Sequence, residues 1–129
     1  MIIAVDFDGT LALGNTFPVI LGKPNKLLIK WLKYRKNRGD TIILWTCREN
    51  YGGINYKDHH YLTDAIEYCK RFGLVFDNIN ANLHEKTDEF GTLYGRKITA
   101  DLYIDDKSFP YSNTTFWLFF IFISEIRYK

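Results

Sequence analysis

A four-residue apolar run, Ile2–Val5, breaks off at Asp6-Phe7-Asp8-Gly9-Thr10. Unbroken apolar character over so short a span suits a strand covered on both faces, as in a parallel sheet, and it places two carboxylates and a glycine at that strand's carboxyl end. The same punctuation returns twice. Residues 41–45 form a β-prone run that ends at Thr46-Cys47-Arg48-Glu49, and Leu102, Tyr103 and Ile104 run into Asp105-Asp106. A further short strand is expected at 75–77.

The intervals carry helical spacing. Leu27, Leu28, Trp31 and Leu32 predict a helix over 26–36, with Pro24 near its start and Gly39 after its end. Leu62, Ala65, Ile66 and Cys69 predict a second over 58–72, stopped by Gly73. Alternation of strand and helix implies right-handed crossovers, and so an α/β fold: a three-layer, Rossmann-like parallel sheet with helices on both faces. A chain of 129 residues with no linker or repeat is expected to form one domain, 1–129. Neither interval between the polar clusters has room for a large folded cap, which leaves 49–56 and 80–95 as expected rim segments of a site with minimal or no cap. In sheets of this kind ligands bind beyond the carboxyl ends of the strands, where all three polar clusters fall.

Composition narrows the partners. Seventeen Lys and Arg against 15 Asp and Glu leave a net charge of +2, which gives little support for tight nucleic-acid binding. One basic run does stand out: Lys23, Lys26, Lys30, Lys33, Arg35, Lys36 and Arg38, interleaved with Trp31 and Tyr34 and free of acidic residues. A solvated outer helix face is its commoner explanation, and attraction of phosphate-rich ligands is the other. Two cysteines, Cys47 and Cys69, are too few for a disulfide scaffold, and Cys47 is expected to be a small buried side chain. His59 and His60 lack zinc-site spacing. The first apolar run is cut by Asp6 and Asp8, so no secretory leader is expected and the cytoplasm is the default compartment. Residues 116–123 are eight consecutive apolar side chains, too few to cross a bilayer as a helix; a homodimer covering them is plausible.

Asp6 and Asp8, two positions apart, share a face of an extended segment, so that one carboxylate is placed to attack and the other to transfer a proton. Thr46 offers a hydroxyl donor, Lys97 a positive charge, and Asp105 with Asp106 oxygen ligands for a hard cation such as Mg²⁺. This inventory fits phosphoryl transfer. The pattern Asp-x-Asp-Gly-Thr at 6–10, Thr46, Lys97 and the pair Asp105-Asp106 resembles the haloacid dehalogenase-like (HAD) hydrolases over about residues 1–107. It is similar in particular to a small capless subgroup in which the second motif reads Trp-Thr-Cys-Arg-Glu, here 45–49, and the last reads Ala-Asp-Leu-Tyr-Ile-Asp-Asp, here 100–106.

The resemblance implies a Mg²⁺-dependent phosphomonoester hydrolase working through an aspartyl-phosphate on Asp6. Asp8 would be general acid for the leaving alcohol and then base for water. Thr46 and Lys97 would hold phosphoryl oxygens. Asp6, the backbone carbonyl of Asp8 and Asp105 would bind the ion, and Asp106 would orient its shell. Electrostatics agrees: three carboxylates beside a phosphate dianion sum to about −5, so a divalent cation is required to admit the substrate. The expected substrate is a phosphorylated small molecule or nucleotide, with a nucleic-acid end as a further case. The rivals are a noncatalytic phosphate- or nucleotide-binding protein and a receiver-like phosphoacceptor, the latter disfavoured because Asp-x-Asp follows the first strand and Thr46 the second. Arg48 and Glu49 are candidates for a rim pair or a substrate contact, and Asp101 for an alternative supporting acid.

Overall fold

The computed structural model describes residues 1–14, 16, 20–53, 56–83 and 97–108. The apolar stretch 116–123 and the greater part of the expected rim segment 80–95 lie outside the described residues. In chain order the elements are β1 (Ile2–Val5), β2 (Ala12–Leu13), β3 (Lys23–Pro24), α1 (Lys26–Asn37), β4 (Thr41–Leu44), β5 (Asn50–Gly53), β6 (Tyr56–His60), α2 (Tyr61–Arg71), β7 (Asn78–Ile79) and β8 (Leu102–Ile104).

Four strands form a parallel sheet in the order β7-β4-β1-β8. Its central strand β1 pairs in register with both neighbours, Val5 lying level with Leu44 on one side and with Ile104 on the other. The ladder continues one step further, with Asp6 N–H donating to Ile104 O and Trp45 N–H to Val5 O, each at 2.9 Å. Flush strand ends are what deliver three polar clusters to one edge.

Alternation within the strands divides the interior. Ile3 and Val5 of β1 and Ile42 and Leu44 of β4 pack with Leu28, Trp31 and Leu32 of α1 and with Ala65, Tyr68 and Cys69 of α2. Both described helices therefore lie on one face of the sheet, where the sequence reading has helices on both. The reason is topological: β1 to β4 to β7 steps in one direction, and right-handed crossovers taken in one direction fall on one side. The opposite face, Ala4 and Ile43, is covered among the described residues by Ile98 with Leu83, Ala100 and Tyr103 around it. Among the described residues the sheet is thus a parallel core flanked by two helices with little added to it, a minimal Rossmann-like arrangement.

α1 is capped by buried Asn25, whose side chain accepts Leu28 N–H at 3.3 Å and donates to Thr10 O at 3.1 Å, tying the helix start to the loop after β1. Two expectations move. The strand sought at 75–77 is β7 at 78–79, because Asp77 is spent on alignment: its carboxylate accepts Ile42 N–H at 2.8 Å. The segment 49–56 enters an antiparallel hairpin of β5 and β6, irregular between Tyr51 and Gly53, so α2 begins at Tyr61 and not at 58. Asp101 accepts Ile2 N–H at 2.6 Å at the amino end of β1, the edge opposite the three polar clusters, and so is not a supporting acid for them. Among the described residues no helix is long and apolar enough to cross a membrane.

Candidate functional site

Phe7 is fully buried, its ring edge-on to Tyr68 at 5.4 Å, and this anchors the turn after β1 with Asp6 and Asp8 directed to the sheet edge. Leu11 and Ala12 N–H close the turn on Phe7 O at 3.0 and 3.1 Å. Gly9 adopts φ +79°, a conformation that favours glycine, and a Cβ there would collide with the Asp106 carboxylate. Thr10, also buried, accepts Asp106 N–H on Oγ1 at 3.0 Å. The Gly-Thr of the first motif thus has a physical duty: it lets β8's end close against β1's end.

After β8 the chain turns back, with Lys107 N–H donating to Asp105 Oδ1 at 2.9 Å. One oxygen each from Asp6, Asp105 and Asp106 then lie within 4.8 Å of one another. Their mutual cost shows in protonation. The Asp6 carboxyl is pushed up from 3.8 to about 7, chiefly by burial and then by the charges of Asp105, Asp106 and Asp8, with the Phe7 N–H opposing. Asp106 is also raised, by burial first and by its hydrogen bond with Asp105. Three hard oxygen donors that repel one another at this range fit a divalent cation of the Mg²⁺ class. Asp8 is not one of the three.

Asp8 turns instead to Arg48. Arg48 Nε donates to Oδ2 at 2.8 Å and Nη2 to Oδ1 at 2.7 Å, a two-pronged pairing, while Nη1 reaches Tyr61 O at 3.3 Å. The guanidinium is completely buried, lying 5.0 Å from the Phe7 ring centroid. Of the two rim candidates, then, Arg48 is an interior partner of Asp8. Its guanidinium occupies both oxygens of the carboxylate that the resemblance assigns to protonating a leaving group.

Thr46 stands beyond β4, its N–H donating to Asn80 Oδ1 at 2.8 Å and its Oγ1 accepting Arg48 N–H at 3.2 Å. A hydroxyl that accepts one hydrogen bond keeps its own proton to donate. Asn80 holds this position from a left-handed conformation, φ +51°, with its own N–H on Leu44 O at 2.8 Å. Asp6, Asp8, Trp45, Thr46, Cys47, Asp105, Asp106 and Lys107 line a cleft of about 480 Å³. Cys47 is exposed there, contrary to the buried place expected for it, because the alternation that buries Leu44 ends with β4. The buried cysteine is Cys69, whose thiol burial pushes up to about 12.

Lys97 is exposed and lies outside the residues that line the cleft; its ammonium sits 5.1 Å from the Tyr103 ring centroid. That ring packs on Trp45 at 5.4 Å, so Lys97 reaches the rim through two aromatic side chains. Lys107, with its ammonium 3.9 Å from Asp106 Oδ2, is the lysine that borders the acidic cluster. Lys107, Asn80 and the Arg48–Asp8 pairing escape a reading of motifs. For Arg48 one signal was available: a cation two residues after Thr46, at the same sheet edge as an acid pair that needs a counter-charge.

No protein-family model and no curated protein matches the chain. Among solved structures, a conserved protein from Bacteroides thetaiotaomicron is 30% identical, with a TM-score of 0.71 over 96% of this chain and 91% of that one. At that identity and mutual coverage, the chain belongs to the same family of small α/β domains as the Bacteroides protein.

Proposed function

We propose that the chain is a divalent-cation-dependent phosphomonoester hydrolase of the haloacid dehalogenase-like kind, acting on a phosphorylated small molecule or nucleotide. The observation that carries this reading is the gathering of Asp6, Asp105 and Asp106 oxygens within 4.8 Å at the flush carboxyl ends of β1 and β8. A bound Mg²⁺ would supply positive charge that keeps Asp6 ionised and offsets the phosphate's charge. Asp6 attacks phosphorus, the bond from phosphorus to the leaving oxygen breaks, and an aspartyl-phosphate forms as the departing oxygen takes a proton from solvent water. Water then attacks the phosphorus, Asp8 accepts its proton, and inorganic phosphate departs with the Asp6 carboxylate restored. Thr46 donates its hydroxyl to a phosphoryl oxygen, with Lys97 as the further cation in this reading.

Hydrolysis of an aryl phosphate by wild type and Asp6→Asn, in Mg²⁺ and in chelator, tests it. Turnover should fall by at least about 10³-fold in the variant. Retained activity rejects Asp6 as nucleophile, and equal rates in chelator reject the cation. A second reading, a noncatalytic phosphate- or nucleotide-binding protein, is favoured by one observation, the grip of Arg48 on both Asp8 oxygens. It predicts saturable nucleotide binding without release of phosphate.

A further inference from the structure

α1 carries five basic residues and no acidic one in twelve positions, and they divide into two sets. Arg35 pairs with Asp40, and Lys36 with Asp77 at 3.0 Å and Val75 O at 2.5 Å, so these two serve the fold. Lys26, Lys30 and Lys33 lie at i, i+4 and i+7 on another face, and all three are exposed. Among the described residues neither Lys26 nor Lys30 has an ion-pair partner, and the Lys33 ammonium donates to Phe72 O at 3.1 Å. Lys26 also stands in the first turn, against the helix dipole, where an acid would be the stabilising choice.

These three lysines border one open groove of about 410 Å³, which they line with Tyr34 and Phe72 along α1, apart from the acidic cleft. Phe72 is 37% exposed, its ring in edge contact with Tyr68 at 5.2 Å, which places an aromatic side chain beside a row of cations. Lys26 to Lys33 spans roughly 10 Å of helix axis, long enough to meet successive phosphates of an extended strand.

We infer that the α1 groove of Lys26, Lys30, Lys33 and Phe72 binds the sugar-phosphate backbone of single-stranded nucleic acid, with a base stacked on the Phe72 ring. Alternation of charge and planar ring is what this ligand offers. A poly-acidic peptide and an anionic membrane each bring the charge without a planar base beside every phosphate. The inference is independent of the hydrolase reading, since none of these residues belongs to the acidic site.

The test is fluorescence anisotropy of the full chain with a labelled twelve-nucleotide single strand that lacks a terminal phosphomonoester, so the cleft has nothing to act on. Wild type should bind in 50 mM salt and weaken roughly 20-fold at 200 mM, the slope for three phosphate contacts on a single strand. The Lys26→Gln/Lys30→Gln/Lys33→Gln variant should lose most of that affinity and nearly all of the salt dependence. Lys26→Gln/Lys30→Gln, which keeps the Lys33 contact to Phe72 O, should lose about two thirds of the slope. Phe72→Ala should weaken binding about tenfold with the slope unchanged. Absence of binding at 50 mM salt overturns the inference, as does an unaltered salt slope in the lysine variants. Indifference to Phe72→Ala, with poly-glutamate or anionic vesicles bound as tightly as the strand, assigns the groove to another polyanion and overturns it too.

Discussion

Replacing Asp6 by Asn should make the metal-free protein more stable at pH 8, even though the proposed reaction depends on this residue. Asp6 carries its proton more tightly folded than unfolded, its carboxyl rising from 3.8 to about 7 through burial and the neighbouring carboxylates. Between those values the folded chain binds more protons than the unfolded one, so stability falls as pH rises from about 4 and the loss is complete above about 7. A rise of that size has a ceiling of about 4 kcal/mol. The cleft is open to solvent, so screening brings the expected penalty to about 2 kcal/mol. Asn has nearly the same shape and no charge, and its side-chain oxygen can still accept the Phe7 N–H. In urea with chelator, Asp6→Asn should therefore exceed wild type by about 2 kcal/mol at pH 8, raising the midpoint by about 1 M, with the gap closing near pH 4. Excess Mg²⁺ should stabilise wild type alone and narrow or reverse the order. Equal stability at pH 8, or the same gap at pH 4 and pH 8, would refute the idea that burial, with the neighbouring carboxylates, makes the charge on Asp6 costly.

Three further outcomes follow from the same geometry. Arg48→Met removes the guanidinium from a partly buried Asp8 and should cost about 3 kcal/mol by denaturant unfolding, most of it restored by adding Asp8→Asn; additive effects would deny the pairing. Titration calorimetry should find Mg²⁺ binding roughly tenfold tighter at pH 8 than at pH 6, with a proton released at the lower pH, because the ion competes with the proton on Asp6; a pH-independent affinity would remove Asp6 from the ligand set. Because Arg48 occupies both Asp8 oxygens, phosphates of acidic phenols should be hydrolysed at least about 100-fold faster than alkyl phosphates; equal rates would show that Asp8 protonates the leaving group after all.

The sheet was legible where the chain is simplest. Ile2–Val5 and Leu102–Ile104 match the expected strands to the residue, because short apolar runs with polar ends have few other ways to be buried. Asp6, Thr46, Asp105 and Asp106 share one cleft for the same reason. The hairpin of β5 and β6 was not legible: Asn50, Asp58, His59 and His60 give no apolar alternation, and the two strands are held by their pairing with each other. The side of the sheet on which helices fall depends on strand order, which no local pattern encodes. Arg48 finds Asp8 forty residues away, and neither residue's neighbours announce the other. For Lys97, place in a motif does not give the direction of a long side chain, which here lies over the Tyr103 ring.

The pairing of β8 with β1 joins nearly the two ends of the described chain, Thr10 meeting Asp106 across 96 positions. Contacts of such separation form late, after the local crossovers have shortened the loop that must be closed. During synthesis Asp6 therefore emerges long before Asp105 and Asp106, the two acids that cluster with it. A chain halted before residue 102 would carry Asp6 and Thr46 on a sheet whose edge at β1 is still open, with the acidic cluster incomplete. The acidic cluster is thus complete only once β8, the last of the described strands, has docked on β1.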